Sequence, residues 1–220
     1  MKKKLIILTG PTAVGKTDLS IRLARTVGGE IISADSMQVY RRMDIGTAKI
    51  RPEEMDGVRH HLIDILEPTE SFNAFLFKEY ALKAANEIWE RGSIPIIVGG
   101  TGFYIQTLLY DIEFAKSDEN DGIRDELNKL YEEHGAAFLH DMLAKVDPEY
   151  AAEVHENNVK KVIRAIEFYR QTGHKLSEHN TEQRERTSPY NFDYFVLSDD
   201  RTVLYERIDK RIDGMVEAGL

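Results

Sequence analysis

Lys4-Leu5-Ile6-Ile7-Leu8-Thr9-Gly10-Pro11-Thr12-Ala13-Val14-Gly15-Lys16-Thr17 decides how this chain folds. The apolar, β-branched run reads as a buried strand, the glycine-bounded octet as a turn, and the segment from Lys16 onward as a helix. A turn of this kind aims successive backbone N–H groups at one point, where the positive end of the following helix dipole adds to them. The oxygens of a di- or triphosphate fit that cradle. Lys16 then reaches the outer phosphates, and the Thr17 hydroxyl is placed to ligate a Mg²⁺ carried by them. The plainer alternative is a glycine-rich strand-to-helix turn that happens to carry a lysine. The loop implies a polyphosphate but leaves open what is done with it.

Working outward, further apolar runs read as strands at 30–34, 61–65, 94–98 and 194–197, with helices at 16–26, 72–91 and 104–110 between them. That alternation predicts a parallel sheet covered on both faces. From 113 to 186 the strand signal disappears, and helices are expected at 123–133, 136–145, 148–155 and 158–172. Asp147-Pro148 is an N-cap followed by proline at the first helical position, and Thr172-Gly173 is a helix stop. The expected fold is therefore α/β, a parallel sheet of the P-loop NTPase kind flanked by helices, with an inserted all-helical subdomain. Residues 1–112 and 187–220 form the sheet core, 113–186 the insert, and a last helix runs over 201–216.

Composition excludes several chemistries. The 220 residues include no cysteine, which rules out disulfides, thiolate metal sites and thiol catalysis. No apolar stretch approaches the roughly 20 residues that span a bilayer, and the basic start Met1-Lys2-Lys3-Lys4 leads into a strand rather than a signal peptide. A cytoplasmic protein without membrane contact is expected. The net charge of −9 argues against a polyanionic partner unless the contact is local. Charge is unevenly spread: residues 111–156 hold 14 acidic against 4 basic side chains, whereas 160–186 hold 7 Lys/Arg against 4 Glu. The reversal suggests one solvated acidic surface and one suited to phosphates, with a merely solvated helix as the alternative.

The second constellation is Ile31-Ile32-Ser33-Ala34-Asp35-Ser36-Met37-Gln38-Val39-Tyr40. Ligand crevices of open α/β sheets lie beyond the carboxyl ends of the strands, which puts Asp35 at the rim of the phosphate site. A carboxylate there can take a proton from a nucleophile or hold a metal's water shell; the alternative is an N-cap or turn aspartate. Ser36 and Gln38 supply a hydroxyl and an amide suited to a base edge or sugar. Adjacent histidines His60 and His61 point to opposite faces of a strand and cannot chelate one ion together. Trp89 and the Phe72, Phe75, Phe77 group read as the core of a long amphipathic helix. In the insert, Val159, Val162, Ile163 and Ile166 form a buried stripe, so Lys160 and Arg164 project together on the other side with Lys161 close by.

Taken in order, the phosphate loop, Asp35-Ser36-x-Gln38-Val39-Tyr40, Asp44-Ile45-Gly46-Thr47-Ala48-Lys49, His60-His61-Leu62-Ile63-Asp64, Val98-Gly99-Gly100-Thr101-Gly102-Phe103-Tyr104, Lys160-Lys161-Val162-Ile163-Arg164-Ala165-Ile166-Glu167 and Leu204-Tyr205-Glu206-Arg207-Ile208-Asp209-Lys210-Arg211 resemble the tRNA dimethylallyltransferase (tRNA isopentenyltransferase) family over essentially the whole chain. The resemblance implies transfer of a dimethylallyl group from dimethylallyl diphosphate to the exocyclic amine of the adenosine just 3′ of the anticodon, with release of pyrophosphate. It implies a diphosphate cradle of Gly10, Pro11, Thr12, Ala13, Val14, Gly15, Lys16 and Thr17. Arg207 and Arg211, one helical turn apart, are spaced to face the diphosphate from the last helix, with surface ion pairs as the equal alternative. Asp35 would accept the amine proton beside Lys16 and Thr17, and Mg²⁺ would sit on Thr17. Asp35, Ser36, Met37, Gln38, Thr101, Arg124, Lys160, Lys161 and Arg164 would contact the tRNA anticodon stem-loop. A monomer is expected. Ile50 stands where family members usually carry proline, a difference expected to alter only a loop. Family members also continue beyond Glu217-Ala218-Gly219-Leu220 into further helices, so the C-terminal part of the core is expected to be truncated. Two other readings stay open: a small-molecule kinase of the nucleoside or shikimate type, for which no arginine-rich lid is seen, and a module that binds tRNA and diphosphate without turnover.

Overall fold

A computed structural model describes residues 2–114 and 122–220. The chain divides into two compact units, residues 1–112 with 188–220, and residues 113–187.

In the first unit five strands, β1 (Lys4–Thr9), β2 (Gly29–Ser33), β3 (His60–His61), β4 (Ile94–Gly99) and β5 (Asn191–Val196), form one sheet in the order β3-β2-β4-β1-β5. Every pairing is parallel. Such a sheet needs cover on both faces, which explains the unbroken apolar runs in β1, β2 and β4. Ile6, Ile31 and Ile96 project to one face and pack with Ile21 and Ala24 of α1 (Lys16–Val27). Their neighbours Leu5, Ile7, Ile32 and Ile97 point the other way and are as deeply buried. The helix α2 (Ala74–Glu90) packs on β2 and β4 and on α3 (Gly102–Leu109). The chain closes with α9 (Arg201–Glu217), its N-terminus capped by Asp200, whose side chain accepts from Thr202 N.

Several expectations are corrected. The strand expected over 61–65 ends after His61, because Leu62 (φ 63°) and Asp64 (φ 55°) are left-handed and break the ladder. Leu66 instead bridges Tyr40. The long helix begins at Ala74, with Asn73 as N-cap accepting from Leu76 N, so Phe72 precedes it and stacks on Tyr80. Phe77 is fully buried and stacks on Tyr104, but Phe75 lies on the exposed side. Trp89 spans the surface, donating from Nε1 to the Lys4 carbonyl beneath the Lys3 ammonium. Ile50 belongs to the core under α1 rather than to a bare loop.

The second unit contains α4 (Ile123–His134), α5 (Ala136–Val146), α6 (Pro148–Glu153), α7 (Val159–Thr172) and α8 (Leu176–Glu185). Leu127, Leu139, Leu143, Val162, Ile163 and Ile166 form its core. Gly173, at φ 73°, ends α7 as its sequence announces. The polar helix α8 has no sequence counterpart among the expected elements. Its first turn is held by Asp147, which accepts from Ser177 N (2.9 Å) and Ser177 Oγ (2.7 Å) while also capping α6 through Tyr150 N (3.1 Å). One buried carboxylate thus organises two helix starts.

Candidate active site

Close backbone approach brings three loops together at the carboxyl ends of the strands. A Cβ on Gly99 would lie 2.3 Å from the Ala34 carbonyl oxygen, and one on Gly10 2.5 Å from that of Leu197. Only glycine permits either approach. Thr9 Oγ1 donates to the Gly99 carbonyl (2.9 Å), tying the end of β1 to β4. Thr101 N reaches the Ala34 carbonyl (3.4 Å), which sets Thr101 beside the backbone that carries Asp35.

The phosphate loop follows β1 with Gly10, Ala13 and Gly15 all at positive φ. Helix α1 begins at Lys16, and its first-turn amides face the loop's mouth. Lys16 Nζ folds back over the loop, donating to the carbonyls of Gly10 (2.9 Å) and Pro11 (2.7 Å). Burial lowers its pKa, the Asp35 carboxylate opposes that, and the Arg211 guanidinium adds to it. Asp35, Arg211 and Lys16 therefore share one electrostatic site.

A cleft of about 840 Å³ opens there, with Thr12, Asp35, Arg42, Asp44, Thr47 and Arg211 contributing polar atoms. Met37, Met43, Ile45, Ile208, Ile212 and Met215 give it an apolar side. Asp35 Oδ1 accepts from Met37 N (2.8 Å) and Gln38 N (3.2 Å), so the aspartate does form a turn. Among the described residues Oδ2 has no hydrogen-bond donor, which leaves it available to a ligand. The turn and the chemical role are compatible. Tyr104 is buried nearby; burial raises its pKa, and the charges of Tyr40 and Asp35 add to the rise.

The other expected site residues are placed unevenly. Ser36 is half-buried after Asp35, and Met37 is exposed. Gln38 lies near Ser33 Oγ through Oε1 (3.4 Å) and donates from Nε2 to the carbonyls of Thr47 (3.3 Å) and Ala48 (3.4 Å). Its amide braces a loop here. Arg211 Nη2 donates to the same Thr47 carbonyl (3.4 Å), whereas Arg207, one turn earlier, pairs with Asp199 (2.9 Å) and does not line the cleft. His61 bonds Glu30 and His60 the Val58 carbonyl, and no cluster of three metal-ligating side chains occurs among the described residues.

In the second unit Lys160, Lys161 and Arg164 are exposed on one face of α7, and none forms an ion pair among the described residues. Arg124 is engaged by Glu167 at 2.5 Å. Lys49 closes one of the quoted motifs, but sequence patterns did not reveal that it is buried just behind the cleft wall. Its partners Asp44 and Asp64 lie in two of the quoted motifs, but nothing in either motif shows that they meet.

Comparison with known proteins agrees with this geometry. The family model described as IPP transferase matches residues 38–220. The chain is 58% identical over 216 residues to a tRNA dimethylallyltransferase of Lachnoclostridium phytofermentans, covering 98% of this chain and 69% of that protein. It is 49% identical over 220 residues to that of Halalkalibacterium halodurans, covering all of this chain and 70% of the relative. Among solved structures it is similar to a eukaryotic dimethylallyltransferase acting on tRNA (TM-score 0.89, 36% identity, 99% of this chain and 54% of that one). It is also similar to the tRNA isopentenylpyrophosphate transferase of Bacillus halodurans (TM-score 0.66, 48% identity, 99% and 67%). Among the described residues, no helix is long and apolar enough to cross a membrane. A parallel sheet with a phosphate loop at its carboxyl edge, matched along the whole chain by such relatives, places this protein in the IPP transferase family.

Proposed function

We propose that this chain transfers the dimethylallyl group of dimethylallyl diphosphate to the exocyclic amine of the adenosine 3′ of the anticodon in tRNA, releasing pyrophosphate. The observation that carries the reading is the shared cleft: Thr12 of the phosphate loop, Asp35 and Arg211 line one space with an apolar side, and Lys16 feels the charges of both Asp35 and Arg211.

An allylic carbon gains cationic character as the C–O bond to diphosphate breaks, so stabilising the leaving group lowers the barrier. The amides from Thr12 to Gly15, the Lys16 ammonium and Arg211 supply positive charge where negative charge grows. To meet the diphosphate, Lys16 exchanges its bonds to the Gly10 and Pro11 carbonyls for phosphate oxygens. The adenine amine is a weak nucleophile, and the open Oδ2 of Asp35 accepts its proton as the C–N bond forms, a contribution of roughly 10²–10⁴ in rate. The Met37, Met43, Ile45 and Ile212 side takes the isoprenoid carbons and excludes water. Thr17, exposed at the start of α1, fits Mg²⁺, which takes few protein ligands and keeps substrate phosphates and waters. When bound, the ion neutralises charge on the diphosphate.

The target base leaves its stack to enter the cleft, at a cost of a few kcal/mol that is smaller in an unpaired anticodon loop. Lys160, Lys161 and Arg164 supply backbone contacts that position the RNA without reading its sequence. The protein acts in the cytosol as a monomer. Incubation with Mg²⁺, dimethylallyl diphosphate and unmodified tRNA, followed by nucleoside analysis of the RNA, tests the proposal. Prenylated adenosine is the expected product. ATP consumption with a small acceptor would replace the reading with a kinase, and RNA retention without product would replace it with a binding module.

A further inference from the structure

We propose that Lys49 is a positioning residue for this transfer: one buried ammonium ties Tyr40, Asp44 and Asp64 together and thereby sets the cleft wall at Met43–Thr47 against Arg211 and Gln38. The proposal rests on the functional reading above and adds a residue to it.

Between β2 and β3 the chain runs from 34 to 59 with only a 3₁₀ turn at Pro52–Met55. Backbone bonds to residues 64–66 hold its start, from Gln38 to Arg41, but stop there, so no ladder holds the cleft wall from Arg42 to Thr47. The Lys49 side chain is 4% exposed. Its Nζ donates to the Tyr40 carbonyl (2.7 Å), Asp44 Oδ1 (2.7 Å) and Asp64 Oδ1 (2.5 Å), which uses all three protons of the ammonium. An ammonium this buried is tolerated only when so satisfied. Burial acts to lower its pKa, but the bonds to Asp44 and Asp64 prevail and the net direction is upward. Tyr40, Asp44 and Asp64, from three of the quoted motifs and none with a part in the proposed chemistry, meet at this one atom.

The wall it anchors is a closed ring. Lys49 N donates to the Asp44 carbonyl (3.0 Å), Ala48 N to that of Ile45 (2.9 Å), and Thr47 Oγ1 to that of Met43 (2.6 Å). Arg42, Ala48, Leu62 and Asp64, four non-glycine residues at positive φ, surround the lysine's contacts. Such conformations persist where neighbours over-determine them. The ring's outward carbonyl, at Thr47, accepts from both Arg211 and Gln38. Loosening Lys49 therefore frees the carbonyl that braces Gln38 and Arg211, the second of which lines the cleft.

Lys49→Met keeps the chain length of the side chain and deletes its three bonds. In the full chain, calorimetry with inorganic pyrophosphate and Mg²⁺ is expected to give a Kd at least fivefold weaker than wild type. The kcat for transfer should fall at least tenfold, with affinity for unmodified tRNA held within twofold. A lysine that serves stability alone would lower the melting temperature and leave pyrophosphate and tRNA affinities in their original ratio. Pyrophosphate affinity within twofold of wild type, in a variant that melts cooperatively, overturns the proposal. Should Lys49→Met not fold, Asp64→Asn at the half-exposed partner outside the cleft is measured instead, with at least a twofold weakening expected and an unchanged Kd overturning it. If neither variant folds, Lys49 is a determinant of the fold and the positioning role is withdrawn. A wild-type chain that makes no prenylated adenosine would refute the functional reading, while the pyrophosphate measurement would still judge Lys49.

Discussion

The phosphate loop, through Thr12, and the segment from Asp35 to Thr47 line the same cleft but are held there by different means. The first is fixed by backbone sterics: Gly10 lies against the Leu197 carbonyl, and Gly15 hands the chain directly to α1. The second is fixed by side chains: Asp35 folds its own turn, Gln38 and Arg211 grip the Thr47 carbonyl, and Lys49 gathers Asp44 and Asp64. Backbone-fixed loops tolerate few residues at each position and so announce themselves locally. Side-chain-fixed loops depend on partners far along the chain, here as much as 164 positions away.

Asp35 belongs to both regimes, and separating them carries the largest expected effect. Asp35→Asn keeps an Oδ1 acceptor for Met37 N and Gln38 N but removes the base. Turnover should fall by roughly 10²–10⁴ while the melting temperature stays near wild type. Asp35→Ala should lose the same turnover and also about 1 kcal/mol of stability as the turn's bonds disappear. Nucleoside analysis and thermal melting measure the two quantities separately. An Asn variant with turnover near wild type would reduce Asp35 to a turn former.

Next come the glycines. Gly99→Ala places a Cβ 2.3 Å from the Ala34 carbonyl, and that backbone must move. A loss of about 3 kcal/mol in urea unfolding is expected, since β4 and β2 are paired at this end. Gly15→Ala meets nothing within 4 Å and bears only the strain of φ 91°, about 1 kcal/mol. Equal losses at the two positions would mean that conformation, rather than close approach, sets the loop geometry.

This contrast explains what the sequence discloses. β1, β2 and β4 are legible because parallel strands buried on both faces are continuously apolar. The strand expected over 61–65 is not, since its apolar residues Ile63 and Ile65 follow a left-handed Leu62 that no composition rule flags. Helix α8 escapes because its stability comes from Asp147, 30 residues before Ser177, rather than from an apolar stripe of its own. In the site, the cradle, Asp35 and Thr101 are legible as motifs. The bracing roles of Gln38 and Lys49 are not, because hydrogen bonding to a carbonyl leaves no mark on residue type. Arg124 shows the same limit: its basic charge suggests RNA, yet the fold gives it Glu167.

The two ends of β2 offer a smaller test of side-chain fixing. Opposite Asp35, the buried Glu30 accepts from Arg91 Nε (2.9 Å) and Nη2 (2.8 Å), bonds His61 Nε2 (2.8 Å) and has Arg59 at 4.0 Å. The bond from Arg91 lowers its pKa below the usual 4.5, burial opposes, and His61 lowers it further. A carboxyl more acidic in the folded state stabilises the protein above its unfolded pKa, and that stability is lost as pH falls through the folded value. Unfolding free energy should therefore decline below about pH 4.5. Glu30→Gln should cost about 2 kcal/mol at pH 7 and flatten that part of the decline. An unchanged acid slope in the variant would assign the decline to other carboxyls.

The smallest and sharpest difference lies within α9. Arg207 and Arg211 are one helical turn apart and look equivalent in sequence, yet one pairs with exposed Asp199 and the other faces the cleft through Thr47. An exposed pair of this kind is worth about 0–1 kcal/mol, so Arg207→Ala should change the KM for dimethylallyl diphosphate by less than about threefold, under 0.7 kcal/mol. Arg211→Ala removes a cation close enough to lower the pKa of Lys16 and should raise that KM about tenfold, or 1.4 kcal/mol. Because Arg211 also holds the cleft wall, part of its effect should persist as weaker pyrophosphate binding in calorimetry, which Arg207→Ala leaves unaltered. Equal effects of the two substitutions would show that Arg207 leaves Asp199 when diphosphate binds, making the helix face, rather than the side-chain brace, the unit that recognises it.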